Sequence, residues 1–215
     1  MKRFVFRRIS LSSYFRFAAI ICCIAAVVGC AGIQPTRIDY YTLHYDPPPP
    51  REHTPEHHIL QVERFGVSPS YHTTKFVYAE GEFLRNTYTS HQWRAMPQDL
   101  IAYYLARDIR ASGVFQAVAG PESRLPADRV LSGTVDEFYE TEGPSGCQAV
   151  LGVTIALLEA SQPDVSKRVI FQKTYRQQAQ AQERSASGIA AAMSEAMQAV
   201  SNAVIVDLSH PMSGS

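Results

Sequence analysis

The sequence predicts an α+β fold: a single two-layer sandwich in which two main helices pack on a mainly antiparallel or mixed sheet. Three observations carry this expectation. Seven short segments are rich in aromatic and β-branched residues or alternate apolar with polar ones, as strands do. Two longer segments repeat apolar residues at helical spacing. Their order is strands, helix, strands, helix, within about 170 residues, which suits one domain.

The first strand is expected in Ile38–Tyr45, "IDYYTLHY". A proline run, Pro47–Pro50, follows it and favours a stiff, extended linker over residues 46–57. The second strand is expected at Ile59–Phe65. Phe76, Tyr78, Phe83 and Tyr88 then punctuate two runs broken at Ala79–Gly81, the pattern of a β-hairpin.

The first helix starts at Pro97, where a missing N–H costs nothing. Leu100, Ile101, Tyr104, Leu105 and Ile109 line one face of it, and Gly113 is placed to cap its end. Three alternating strands follow. Leu131, Gly133 and Val135 share a face in the first; Leu151, Val153, Ile155 and Leu157 in the second; Val169, Phe171 and Tyr175 in the third. Gln162–Lys167 has the Pro-Asp chemistry of a tight turn between the last two. In the final helix Ile189, Met193, Ala196, Val200, Val204 and Leu208 form one apolar stripe, which must pack on the sheet. Residues 211–215 are a tail.

The first thirty residues are of another kind. Met1–Arg16 is basic, Phe17–Val28 is a 12-residue apolar core, and Gly29-Cys30 ends it. That is the layout of a secretory signal. A transmembrane helix needs about 20 apolar residues, and Phe17–Ile33 offers 17, interrupted by Gly29 and Gly32. Val27-Val28-Gly29-Cys30 resembles the bacterial lipobox, in which the cysteine is acylated and the chain is cut before it. The expected organisation is a signal peptide at 1–29, cleavage between Gly29 and Cys30, a lipidated tether at 30–37 and a domain at 38–210. An uncleaved anchor and plain secretion are the competing readings. Ala31 after the cysteine implies, by likeness to enterobacterial lipoproteins, sorting to the outer membrane.

Five of the 20 basic residues lie in the leader, which leaves 15 against 20 acidic ones in the rest of the chain. A mildly acidic body without a basic stripe argues against nucleic acid as a partner. With Cys22 and Cys23 in the leader and Cys30 modified, Cys147 is the one thiol left, so no disulfide framework is available.

The chain lacks a phosphate loop, a nucleophile elbow, a dinucleotide fingerprint and a zinc-protease motif. No cofactor and no metal is expected. His53, His57 and His58 are the one metal-like grouping, and a solvated linker is the simpler account of them. His72 and His91 are expected to be polar surface residues. Asp136, Glu137, Glu140 and Glu142 are expected at a charged strand end and loop. Trp93 is expected before the first helix, either packing a loop or serving as an exposed partner anchor. The small residues of the final helix favour close packing on the sheet, with partner binding as the lesser reading.

Taken in order, these motifs resemble the ABC-type transport auxiliary lipoprotein family. The residues that carry the likeness are the lipobox at Cys30, Tyr40-Tyr41-Thr42-Leu43, Phe76-Val77-Tyr78, Tyr88, Trp93, Pro97, and Ser112-Gly113-Val114-Phe115 with Val118. Leu131–Phe138 and the alanine-rich final helix add to it. The proline run is longer than the family pattern leads one to expect. The resemblance implies a non-catalytic, lipid-anchored outer-membrane component facing the periplasm. Its partners would be an inner-membrane permease or ABC transporter and a protein of the mammalian-cell-entry (MCE) type, with phospholipid or another hydrophobic molecule as cargo. A homo-oligomer stays open. The resemblance supplies no catalytic residues. Phe76, Tyr78, Tyr88, Trp93 and Pro97 are its partner-binding or structural motif. A scaffold or pilotin-like lipoprotein of another outer-membrane machine is the alternative, and an exported hydrolase a third.

Overall fold

A computed structural model describes residues 37–51, 56–143 and 146–210. Residues 1–37 and 38–215 cluster as two units, and every described element belongs to the second. Cys30, Gly29 and His53 lie outside the described residues.

The fold is α+β: among the described residues there is a nine-stranded mixed sheet and two α-helices. The strands are β1 (Asp39–Tyr41), β2 (Glu56–Val62), β3 (Gly66–Val67), β4 (Lys75–Glu80), β5 (Leu84–Trp93), β6 (Phe115–Ala119), β7 (Arg129–Gly143), β8 (Gly146–Glu159) and β9 (Val169–Gln180). The helices are α1 (Pro97–Ser112) and α2 (Ala186–Ser209).

Strand β7 is the spine. Along one edge it pairs in succession, always parallel, with three strands. Leu60–Val62 of β2 lie opposite Arg129–Leu131, Gly66–Val67 of β3 opposite Thr134–Val135, and Tyr78 of β4 opposite Glu140. Along the other edge β8 runs antiparallel over its whole length, and β9 is antiparallel to β8. The two ends of the spine therefore carry different side sheets. β6 adds to β2 at the start of β7, and β5 followed by β1 adds to β4 at its end.

Both helices pack on this sheet and on each other. Pro97 is buried at the first turn of α1, and Gly113 caps the helix with φ 72°. There a side chain would meet left-handed backbone strain. In α2, Ser185 Oγ accepts from Gly188 N at 3.0 Å, and the predicted stripe from Ile189 to Leu208 is buried throughout. Each fully buried aliphatic side chain of that kind contributes about 1.5–3 kcal/mol. Among the described residues, α2 is the one helix long and apolar enough to cross a membrane. Its Met193, Met197, Val200 and Val204 lie in the core.

Several expectations need correction. The first strand is only Asp39–Tyr41, and residues 42–51 leave the sheet to lie along the helices. Tyr104 Oη donates to the carbonyl of Leu43, His44 N donates to Ser194 Oγ at 3.0 Å, and Arg51 N donates to Ser112 O at 3.0 Å. Tyr45 Oη donates to Asp108 Oδ2 at 2.7 Å, and Asp108 is fully buried. Burial and that carboxylate push the Tyr45 phenol well above the ordinary tyrosine pKa. Arg107 sits over the rings of Tyr45 and Tyr104, at 4.4 and 4.5 Å. The segment after β1 is thus clamped to both helices, although its sequence is tether-like.

Strand β2 starts at Glu56, so His57 and His58 are strand residues and not linker residues. His58 pairs with Asp128. Val169 is exposed although Phe171 and Tyr175 are buried, because the pairing with β8 shifts register between Leu157 and Leu158 and takes Val169 off their face. The acidic run Asp136–Glu142 fills the C-terminal half of β7 up to its penultimate residue, so it lies at a strand end as expected but not in a loop. A register shift between Val135 and Glu137 moves the buried face, so Phe138 follows Val135 into the core.

Candidate docking surfaces

The hairpin β4–β5 has two contrasting ends. At its base Phe76 stacks on Trp93, with centroids 4.3 Å apart and rings 22° from parallel. Trp93 meets Phe138 of β7 edge-on at 5.1 Å, and Tyr41 of β1 leans on Phe76 at 5.1 Å. Phe76 and Trp93 are each 2% exposed, beside Ile189 and Met193 of α2. This cluster ties β1, the hairpin, the spine and α2 into one core.

At the middle of the hairpin Tyr78 and Tyr88 lean together at 4.8 Å. Tyr88 Oη donates to Glu140 Oε2 at 3.0 Å. Burial and this carboxylate raise the Tyr88 pKa. Burial, with Glu140 close by, also pushes the Cys147 thiol up. A thiol raised in this way is a poor nucleophile at neutral pH. His91 lies against the rings of Tyr41 and Tyr88 instead of standing alone on the surface.

At the tip the turn bends through Gly81 at φ 69°. Phe83 is 97% exposed and Leu84 is 47% exposed. Beside them lies an open groove of about 680 Å³, walled by Tyr78, Tyr88, Glu80, Glu82, Glu140 and Glu142. Asn86 donates to Glu80, and Arg184 faces Glu142 at 3.4 Å.

A second concavity sits on the outer side of α1. It encloses about 540 Å³ and is lined by Ala102, Tyr103 and Ala106 of α1, Arg64 after β2, and Gly120–Ser123 after β6. Tyr103 is 63% exposed. Arg64 pairs with Glu122 across the mouth, and Arg110 holds the carbonyl of Val118 at 2.9 Å. A mostly apolar cleft of this size with a few polar groups at its rim suits binding. Gln61, opposite Val130 on the spine, donates to Gly120 O at 2.6 Å, which fixes the cleft near the start of β7. Tyr78 lies opposite Glu140, near its end. At about 3.3 Å per residue the two regions are separated by roughly 30 Å of strand.

The family profile described as "ABC-type transport auxiliary lipoprotein component" matches residues 41–205. The chain belongs to that family. Membership makes it an envelope lipoprotein component associated with ABC-type transport. The fold of this auxiliary lipoprotein is similar to the crystal structure of protein XCC0632 from Xanthomonas campestris, assigned to DUF330. The two share 18% identity with a TM-score of 0.68, over 78% of this chain and 92% of that one. It is also similar to the crystal structure of an uncharacterized protein, at 14% identity and a TM-score of 0.62, over 80% and 99% of the two chains. At these identities the likeness shows the fold alone. No curated protein matches the chain.

Within the auxiliary lipoprotein, the motif residues divide by position. Phe76, Trp93 and Pro97 are core. Trp93 ends β5 and is too buried to serve as an exposed anchor in this conformation. Tyr78 and Tyr88 are half-buried and wall the groove. Two exposed aromatics fall outside the motif. Phe83, expected in a strand, lies in the turn. Tyr103 is one position off the apolar face set by Leu100, Ile101 and Tyr104, and that offset is a signal the sequence does carry.

Proposed function

We propose that this protein is a non-catalytic, lipid-anchored accessory subunit of an ABC/MCE-type intermembrane lipid transport system. In this reading Cys30 is acylated, the mature chain sits on the outer membrane, and the domain faces the periplasm. The observation that carries the proposal is the family match over residues 41–205. The cleft on α1 supports a docking role, because an exposed Tyr103 flanked by two alanines and rimmed by Arg64 and Arg110 suits a protein partner. Hydrolysis would then belong to another subunit, and phospholipid would be the cargo class.

The test is affinity purification of the full chain from detergent-solubilised envelopes of its own host. Recovery of a permease, an ATPase or an MCE-domain protein is expected, with at least a several-fold loss in Tyr103→Glu. Recovery of only secretion or lipopolysaccharide-export components would overturn the proposal.

A further inference from the structure

We infer that the β4–β5 turn, through Phe83 and Leu84, rests in the interface of the same membrane that holds the acylated Cys30. The inference depends on reading Cys30 as the lipid attachment point, and it adds a second, non-covalent contact to that tether.

The direction of β1 carries the argument. β1 is parallel to β5, with Asp39 opposite His91 and Tyr41 opposite Trp93. Its N-terminal end therefore points toward the end of β5 that leads into the hairpin turn. From His91 back to Leu84 is seven residues of β5, or about 23 Å. From Asp39 back to Cys30 is nine residues, which span at most about 30 Å when extended. The tether's reach of at most about 30 Å thus exceeds the roughly 23 Å from His91 to the turn, so its length allows the turn and the acylated cysteine to meet one membrane surface.

The side chains at the turn fit that position. Phe83 is almost wholly exposed, with Leu84 beside it and Ile38 exposed at the start of β1. Phe and Leu side chains on membrane-surface elements bury into the boundary between headgroups and acyl chains. Glu80 and Glu82 flank the turn and are exposed. Their carboxylates suit the ammonium groups of a zwitterionic headgroup layer and oppose an anionic one. A diacylated cysteine already holds the chain, so the turn orients the domain and need not bind alone. With the turn on the membrane, the cleft on α1 lies roughly 40 Å along the spine from the turn.

The test uses the full lipidated chain, reconstituted into phosphatidylethanolamine/phosphatidylcholine vesicles whose acyl chains carry bromine. Trp93, the sole tryptophan, is buried and serves as an unquenched internal reference. Phe83→Trp adds a reporter at a fully exposed site, where the fold does not depend on the side chain. The emission of this added indole is expected to shift to the blue and to lose at least half its intensity to the bromines, while wild type changes little. Flotation of the same vesicles reports the anchor separately. Phe83→Trp protein that floats, but whose added indole stays water-exposed and unquenched, overturns the membrane contact and leaves the lipid anchor standing. Protein that does not float overturns the anchor and the inference together.

Discussion

The two ends of one hairpin follow opposite rules. At its base, Phe76 and Trp93 are almost completely buried and join four parts of the fold. At its tip, Phe83 is as large and as apolar as Phe76 and touches almost nothing. The difference separates two reasons for an aromatic residue. Burial accounts for the base without any partner. Nothing in the domain's own packing accounts for the tip, so its explanation belongs outside the domain. Phe76, Tyr78, Tyr88 and Trp93, which carry part of the resemblance to the family, lie at the base and middle of the hairpin, where burial accounts for them before any partner does.

The strongest way to break this comparison is at the base. Trp93→Ala should cost about 3–5 kcal/mol, through lost burial and an uncollapsed cavity. Urea unfolding would show it as a lower midpoint with an unchanged slope. A loss below about 1 kcal/mol would mean that the stack with Phe76 is not a keystone. Gly81→Ala comes next. Its Cβ would meet no atom within 4 Å, so only the left-handed φ of 69° opposes it. A cost of about 1–2 kcal/mol is expected, with no other change in the fold.

The middle of the hairpin can be read by chemistry. Burial and Glu140 hold the Cys147 thiol above its ordinary pKa, so less thiolate is present at any given pH. Alkylation of native protein should therefore rise only at higher pH than for a free thiol, and Glu140→Gln should move that profile back down. A profile already at the free-thiol position would place Cys147 in water. The smallest effect on stability belongs to the tip. Phe83→Ser should change unfolding free energy by no more than about 0.5 kcal/mol, even as it removes the apolar contact proposed with the membrane.

How far the sequence discloses this fold depends on segment length. α1 and α2 span four or more turns, and β7, β8 and β9 run for 12 to 15 residues, so their periodicities rise above noise. β3 has two residues and β6 has five, too few to set a period. β1 ends after three residues because Leu43 and Tyr45 find their partners on α1, not on a neighbouring strand. The bulge at Asp136 shifts the phase of β7 in a way that simple alternation misses. The succession of β2, β3 and β4 along one edge is a long-range pairing that no local pattern encodes. The docking surfaces were the least legible. Exposure of Phe83 depends on where the turn falls, and the cleft on α1 is assembled from three segments distant in sequence. Cys30 is the reverse case: it is marked clearly by local sequence and lies outside the described residues.

Attachment at Cys30 is the claim on which the tether length, the membrane contact of the turn and the proposed place on the outer membrane all rest. Metabolic labelling with palmitate, followed by membrane fractionation of wild type and Cys30→Ala, tests it most directly. The account predicts a labelled wild-type chain in the outer-membrane fraction and an unlabelled Cys30→Ala chain that leaves it. A Cys30→Ala chain that still takes up palmitate and stays in the outer membrane would contradict it.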